Sequence, residues 1–321
     1  MTPVLEVDGL TVEIRTRHGA ATAVADVSFA IAAGEVLGVV GESGAGKSVT
    51  GTAVLGLLQP PATRTAGTIR LDGERIDTLP EPAMRALRGR HIGAVFQDPL
   101  TSLNPLLTVG RHLVQVLTTH LDLSKAEAWQ RAERMLAEVG IPAPAARMRS
   151  YPHELSGGMR QRVVLALAFA CEPRLVIADE PTTALDVSVQ AQVIGVLKDL
   201  CEQRGTAVML ITHDMGVIAE AADRVAVLYA GRIVEVGAVA QVLRAPVHPY
   251  SRGLMASIPA MRRTDQDLPQ IDGTMPRPGS LPGGCSFHLR CPLRIVRCAI
   301  DRPPLAPTGD GLAACWVTAR G

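Results

Sequence analysis

A chain of 321 residues is long enough to bury a full-sized core and one small additional domain. Its 32 basic and 31 acidic residues leave a net charge of +1, which excludes recognition of a polyanion by bulk electrostatics, and a hydrophobic content of 47% excludes wholesale disorder. No apolar run approaches the roughly 18 residues needed to span a bilayer. Residues 1–10 carry Glu6 and Asp8 and no apolar core, so no secretory signal is read there. A cytosolic protein is expected, reaching a membrane only through partners.

Taken in chain order, residues 4–7, 10–14 and 23–31 alternate as strands do, and residues 36–40 form a short continuous apolar run of the kind found in buried parallel strands. That run leads into Gly41-Glu42-Ser43-Gly44-Ala45-Gly46-Lys47-Ser48, followed by a predicted helix over 48–58 that stops at Pro60-Pro61. Strand, glycine loop and helix are the context that a phosphate-binding loop requires. The glycines let backbone N–H groups turn inward towards phosphate oxygens, and the start of the helix, with Val49 just inside it, adds positive potential. Lys47 supplies a cation for the β- and γ-phosphates and Ser48 a hydroxyl for Mg²⁺.

A helical middle follows, with predicted helices over 109–119, 124–139 (Ser124 and Glu127 as a capping box, Gly140 as the stop) and 156–170. Strands over 175–178, 207–211 and 225–229 then alternate with helices over 187–204 and 215–222. The alternation predicts an α/β protein with a mostly parallel sheet covered on both faces. The apolar strand over 175–178 ends in Asp179-Glu180. A strand tip presents two such acids at the carboxyl edge of the sheet, Asp179 suited to work on Mg²⁺ and Glu180 to polarising an attacking water. Taken alone, the pair is equally an exposed turn before Pro181; the phosphate loop in the same chain decides for chemistry. From about residue 258 the composition shifts to Pro, Gly and Arg, marking a linker and a loop-rich appendage. There is no internal repeat, so one nucleotide unit is expected.

The phosphate loop, Gln97 after Val95-Phe96, Leu155-Ser156-Gly157-Gly158-Met159, Asp179-Glu180, Ala184-Leu185-Asp186 and His213 occur in the order of an ATP-binding cassette. Over about residues 4–245 the chain resembles the ATPase subunit of an ABC transporter. Met159 (where most cassettes carry glutamine), Pro181-Thr182-Thr183-Ala184-Leu185-Asp186-Val187 and His248-Pro249-Tyr250 make it similar to the oligopeptide/dipeptide, or peptide/nickel, importer ATPases.

The resemblance implies a phosphate-loop NTPase fold with a RecA-like core, an N-terminal antiparallel β subdomain and a helical subdomain over about 98–170. Together these make a nucleotide-binding domain over 1–257, with a small Cys-rich domain over 258–321. It implies ATP and Mg²⁺ as cofactors, the metal held through Ser48, Gln97 and Asp179. Catalysis falls to Glu180, His213 and Gln97, with Asp186 in the loop that follows. Ser156, Gly157, Gly158 and Met159 serve the ATP of a partner cassette in a head-to-tail dimer. The implied partners are a second, related ATPase subunit, two permeases and an extracytoplasmic peptide-binding protein, with no nucleic acid and a peripheral place on the cytoplasmic face of the membrane. A nickel or other small-solute importer of the same branch is the near alternative, and a soluble cassette ATPase of iron–sulfur assembly or DNA repair the distant one. Cassettes usually stack adenine on an aromatic residue, but no aromatic precedes Phe29, which fits a strand core; Ile14, Arg17 and His18 remain as adenine contacts.

Of six cysteines, Cys171 and Cys201 sit in apolar helical contexts, as small buried thiols do. Cys285, Cys291, Cys298 and Cys315 crowd the tail, where a reducing compartment favours a metal site over disulfides. They lack the close pairs of zinc knuckles. The wide spacing and Cys291-Pro292 favour a [4Fe–4S] cluster, as the resemblance also does, with zinc and unligated thiols as alternatives. His288 reads as a surface residue beside them, with a stray metal ligand as the alternative, and His248-Pro249-Tyr250 as a helix entry with an anchoring ring.

Overall fold

The computed structural model describes residues 2–17, 19–183, 185–256 and 270–318. The chain divides into two compact units: Met1–Leu5, Ile31–Val36 and Asp72–Leu210 form one, Glu6–Ala30, Leu37–Leu71 and Ile211–Gly321 the other. Ala184 and His18, and the expected domain boundary at 257/258, lie outside the described residues.

In the first unit, strands Ile92–Val95, Leu175–Asp179 and Ala207–Ile211 are neighbours in that order. They are apolar almost throughout because both faces are covered. Ile92–Val95 runs parallel to Leu175–Asp179 with Val95 opposite Ala178, so Gln97 and Asp179-Glu180 leave the sheet at the same carboxyl edge. Between these two strands the described regular structure is entirely helical, chiefly Val109–His120, Lys125–Glu138 and Gly157–Phe169. The capping box is present: Ser124 Oγ accepts the Glu127 N–H at 3.3 Å and Glu127 Oε2 accepts the Ser124 N–H at 2.8 Å, an arrangement typically contributing about 1 kcal/mol. Helix Val187–Arg204 buries Val193, Ile194, Leu197, Leu200 and Cys201, an i, i+4, i+7 stripe, and its last residue donates to Phe169 O at 2.7 Å.

In the second unit, strands Ala306–Thr308, Gly311–Ala313, Arg232–Ala238, Arg224–Tyr229 and Val36–Val40 are successive neighbours. Val36–Val40 is buried along its whole length and runs parallel to Arg224–Tyr229, while Arg232–Ala238 turns back antiparallel. Strands Gly19–Ile31, Leu5–Thr16 and Ala62–Leu71 also lie side by side. Phe29 is buried within the first of these, as expected.

Three differences from the sequence reading have local causes. The two short N-terminal strands are one, Leu5–Thr16, because Gly9 takes a left-handed φ of 61° inside it and the chain continues. The helix after the phosphate loop is Lys47–Val54, shorter than predicted; Gly56, with φ 63°, follows its C-cap Leu55, so glycine rather than Pro60-Pro61 closes it. Ala62–Leu71 is a strand that its Thr and Arg content and central Gly67 concealed.

The C-terminal segment is anchored by a buried carboxylate. Glu235 is only 3% exposed, and its two oxygens accept the Val247 N–H at 2.8 Å and the His248 N–H at 2.9 Å. His248 Nδ1 in turn accepts the Tyr250 N–H at 3.1 Å, fixing the entry to helix Pro249–Ala256. Burial, reinforced by the Arg252 charge, pushes the His248 imidazole down to about 3. The unfolded chain therefore takes up a proton here that the folded chain refuses. The resulting stability is complete above about pH 6.5 and is lost as pH falls from there towards 3. Melting temperature is expected to drop between about pH 7.5 and pH 5.5, and to drop less in His248→Asn, whose side-chain oxygen can still accept from Tyr250. Parallel pH profiles for the two proteins would refute this.

Candidate nucleotide site

The phosphate loop joins the buried strand Val36–Val40 to helix Lys47–Val54. Its curl depends on glycine: Gly41 has φ 153°, and a Cβ there would lie 2.3 Å from Leu228 O. The loop closes on itself and its neighbours through Ala45 N–H to Glu42 O at 3.1 Å and Gly231 N–H to Ala45 O at 2.9 Å. Lys47 is 7% exposed and its Nζ donates to Gly41 O at 2.8 Å and Glu42 O at 3.2 Å, so the ammonium lies within the curl of the loop. Ser43, Gly44 and Ser48 are exposed, while Glu42, Gly46 and Val49 are half-buried and Ala45 is buried. Gly41→Ala is expected to lower stability by about 1–3 kcal/mol and to remove the thermal shift produced by ATP. An ATP shift equal to that of the parent would show that the loop tolerates the methyl.

In the same unit, Thr212 N–H donates to Val39 O at 3.2 Å, two residues ahead of the loop. His213 therefore emerges, exposed, beside the strand end that feeds the phosphate loop. Asp214 follows it and caps helix Met215–Ala221 by accepting the Gly216 N–H at 2.7 Å.

The acids lie in the other unit. Asp179 ends its strand and Glu180 takes a left-handed φ of 49°, a strained conformation for a residue with a side chain. Glu180 Oε2 accepts from Gln97 Nε2 at 3.2 Å and from Thr183 Oγ1 at 2.8 Å. In the sequence Thr183 stands only within the family-marking run 181–187; a hydroxyl three residues after the acid is the local pattern that marks it as a partner of Glu180.

Also in that unit, Ser156 caps helix Gly157–Phe169, its Oγ accepting the Met159 N–H at 3.3 Å, and Ser156 and Gly157 are exposed. Gly158 allows the next helix close: a Cβ there would sit 2.3 Å from Val189 Cγ1. Asp186 caps that neighbouring helix, Val187–Arg204, through the Val189 N–H at 3.0 Å. The Ser188 hydroxyl at 2.6 Å, and then that N–H, hold its carboxyl below the usual range. The two segments that flank Gly158 and Asp186 are thus packed together.

Arg17 is exposed and Ile14 half-buried near the end of strand Leu5–Thr16, and nothing further marks either as an adenine contact. Cys171 and Cys201 are buried, as expected, and the Cys201 thiol donates to Thr206 O at 2.9 Å. In the tail, Cys285 N–H donates to Cys298 O at 2.8 Å, and the half-buried His288 places Nδ1 2.8 Å from Cys285 O. Among the described residues, no three His, Cys, Asp or Glu side chains are gathered into a group that could hold a metal ion, so the four thiols do not form a preassembled single-ion site.

The ABC transporter family profile matches residues 24–183, and the profile of the oligopeptide/dipeptide transporter C-terminal region matches residues 234–298. The chain is 47% identical over 314 residues to the oligopeptide transport ATP-binding protein OppD of Salmonella typhimurium, covering 98% of this chain and 93% of that protein. It belongs to the ATP-binding subunits of ABC transporters. The dipeptide transport ATP-binding protein DppD of Bacillus subtilis is 45% identical over 99% of this chain and 95% of its own. Among solved structures, the ATP-binding cassette MJ0796, dimeric and bound to ADP and Pi after hydrolysis, matches with a TM-score of 0.66 at 28% identity, covering 73% of this chain and 98% of that one. As an ABC cassette, the chain is an ATP-binding ATPase. No described helix is long and apolar enough to cross a membrane.

Proposed function

We propose that this ABC ATPase powers the import of di- and oligopeptides. The observation that carries the reading is the span of the similarity. Proteins named for oligopeptide and dipeptide transport match at 45–47% identity over 98–99% of the chain, and a soluble ATPase would have no use for the transporter-specific C-terminal region matched at residues 234–298. The chain would work peripherally on the cytoplasmic face of the membrane, beside a second, related cassette, two permeases and an extracytoplasmic peptide-binding protein.

Each residue then has a role that its chemistry suits. Lys47 and the loop N–H groups neutralise the phosphates, and Ser48, Asp179 and Gln97 serve Mg²⁺. Glu180 orients and polarises the attacking water, with Gln97 and Thr183 holding its carboxylate, and His213 steadies the γ-phosphate. The exposed Ser156 and Gly157 at a helix N-terminus offer donors to the γ-phosphate of the partner's ATP, a use that the dimeric state of the related cassette supports.

The tail is read as a [4Fe–4S] segment held by Cys285, Cys291, Cys298 and Cys315. Backbone N–H groups point at three of the sulfurs: Phe287 at Cys285, Leu293 at Cys291, and Val317 and Thr318 at Cys315, the last two at 3.4 and 3.5 Å. Such bonds suit thiolate ligands. Burial, with the neighbouring sulfurs adding to it, pushes the Cys285 thiol up to about 11, a direction that metal ligation would reverse. The preference for a cluster over zinc rests on the sequence spacing, which lacks the close cysteine pairs of zinc knuckles. When bound, the cluster supplies a cross-link to a segment with little core of its own.

In liposomes carrying the permeases and binding protein, the chain is expected to drive ATP-dependent accumulation of a labelled tripeptide that excess nickel does not suppress. Accumulation of nickel but not peptide would move the protein to the nickel branch. Failure to assemble with any permease would overturn the transport reading.

A further inference from the structure

Two motifs have no part in the nucleotide chemistry above: His248-Pro249-Tyr250, and the run Phe287-His288-Leu289-Arg290 that leads into Cys291. Both converge on one residue of the phosphate loop. Tyr250 is fully buried, and its hydroxyl oxygen accepts the Glu42 N–H at 2.8 Å. Arg290 Nη1 donates to Glu42 Oε2 at 3.0 Å, so Glu42 is gripped at both its backbone and its side chain. The grip is itself rigid. Arg290 spends its remaining donors on Asp272 O at 2.7 Å (from Nε), on Ile271 O at 3.2 Å and Gly273 O at 3.3 Å (from Nη2), and on the Tyr229 hydroxyl at 3.5 Å. Its side chain is 8% exposed, with the guanidinium 5.8 Å and 6.0 Å from the ring centroids of Tyr229 and Phe287. Tyr229, Tyr250 and Phe287 pack edge-to-face or tilted at 4.7–5.4 Å, closing an aromatic block beneath the loop.

Glu42 also accepts from the Lys47 ammonium, through its carbonyl at 3.2 Å. A continuous chain of contacts therefore runs from the cysteine-bearing turn through Arg290 and Glu42 to the lysine of the ATP site. The Glu42 N–H, spent on Tyr250, is directed at the aromatic block and not into the phosphate cradle. An otherwise half-exposed loop carboxylate thus meets a preorganised, charge-assisted partner, the strong kind of hydrogen bond.

We propose that Arg290 and Tyr250 are positioning residues for the phosphate loop: they fix Glu42, and with it Lys47, so that the C-terminal segment sets the ATP affinity of the cassette. Both act through Glu42, which each of them contacts directly. The inference rests on the loop being an ATP site, and on neither the identity of the transported solute nor that of the tail's cofactor.

The test measures the Kd of the full-length chain for a fluorescent ATP analogue with Mg²⁺, in the parent and in Tyr250→Phe, Glu42→Gln, Arg290→Gln and the Glu42→Gln/Arg290→Gln double variant. Kd is expected to rise about 5- to 20-fold in each single variant, with the double no weaker than the weaker single, because both remove one contact. In the assembled transporter, Tyr250→Phe and Arg290→Gln are expected to raise KM for ATP by the same factor, with kcat at saturating ATP changed less than about twofold. Arg290→Gln also loses its bonds to the 271–273 carbonyls and can loosen the tail; Glu42→Gln and Tyr250→Phe leave those bonds intact and keep the test decisive. A Kd unchanged in both of these would make Arg290 a tail anchor only and overturn the proposal. Failure of the parent itself to bind the analogue would instead overturn the reading of the loop as an ATP site.

Discussion

Replacing Glu180 with glutamine is expected to leave ATP binding intact and to slow hydrolysis by about 10²–10⁴-fold. The amide keeps the length of the side chain and an oxygen able to accept from Thr183 and Gln97, whose contacts at 2.8 and 3.2 Å hold the carboxylate in place. What disappears is the negative charge that orients and polarises water. The left-handed backbone of Glu180 is retained as well, so the change isolates the chemistry from the geometry. Nucleotide affinity and single-turnover hydrolysis, measured with the permeases present, separate the two effects. Near-parental turnover in the variant would remove Glu180 from the catalytic role.

The second large effect is expected in the tail. Protein purified without oxygen should carry about four irons and four acid-labile sulfides per chain, and Cys298→Ser should carry neither. Cys298 is buried and its carbonyl accepts the Cys285 N–H at 2.8 Å, so the serine variant keeps the backbone pairing while losing a soft ligand. A fall in melting temperature should accompany the loss, because the segment then lacks its cross-link. Zinc without sulfide, or metal content unchanged by the substitution, would contradict the cluster.

The nucleotide machinery was legible because its chemistry is written contiguously. Phosphate binding demands glycines, Lys47 and Ser48 within a few residues, and the apolar runs at Val36–Val40, Leu175–Asp179 and Ala207–Ile211 announce strands covered on both faces. Helix Lys125–Glu138 declared both its ends through Ser124, Glu127 and Gly140. Two strands were not legible. Ala62–Leu71 alternates polar residues on an exposed face, and Arg232–Ala238 begins at a turn through Gly231 that separates it from its antiparallel neighbour. The grip of Arg290 on Glu42 joins residues 248 positions apart, a separation that no local pattern spans. The same holds for Tyr250, which reads as an anchoring ring until the fold brings its hydroxyl to the phosphate loop.

The most direct measurement is ATP turnover by the complete transporter in liposomes, with and without peptide-loaded binding protein outside. Turnover that rises several-fold with peptide and vanishes in Lys47→Ala is the expected result. Turnover indifferent to peptide, or surviving the loss of Lys47, would contradict a peptide importer driven by this ATP site.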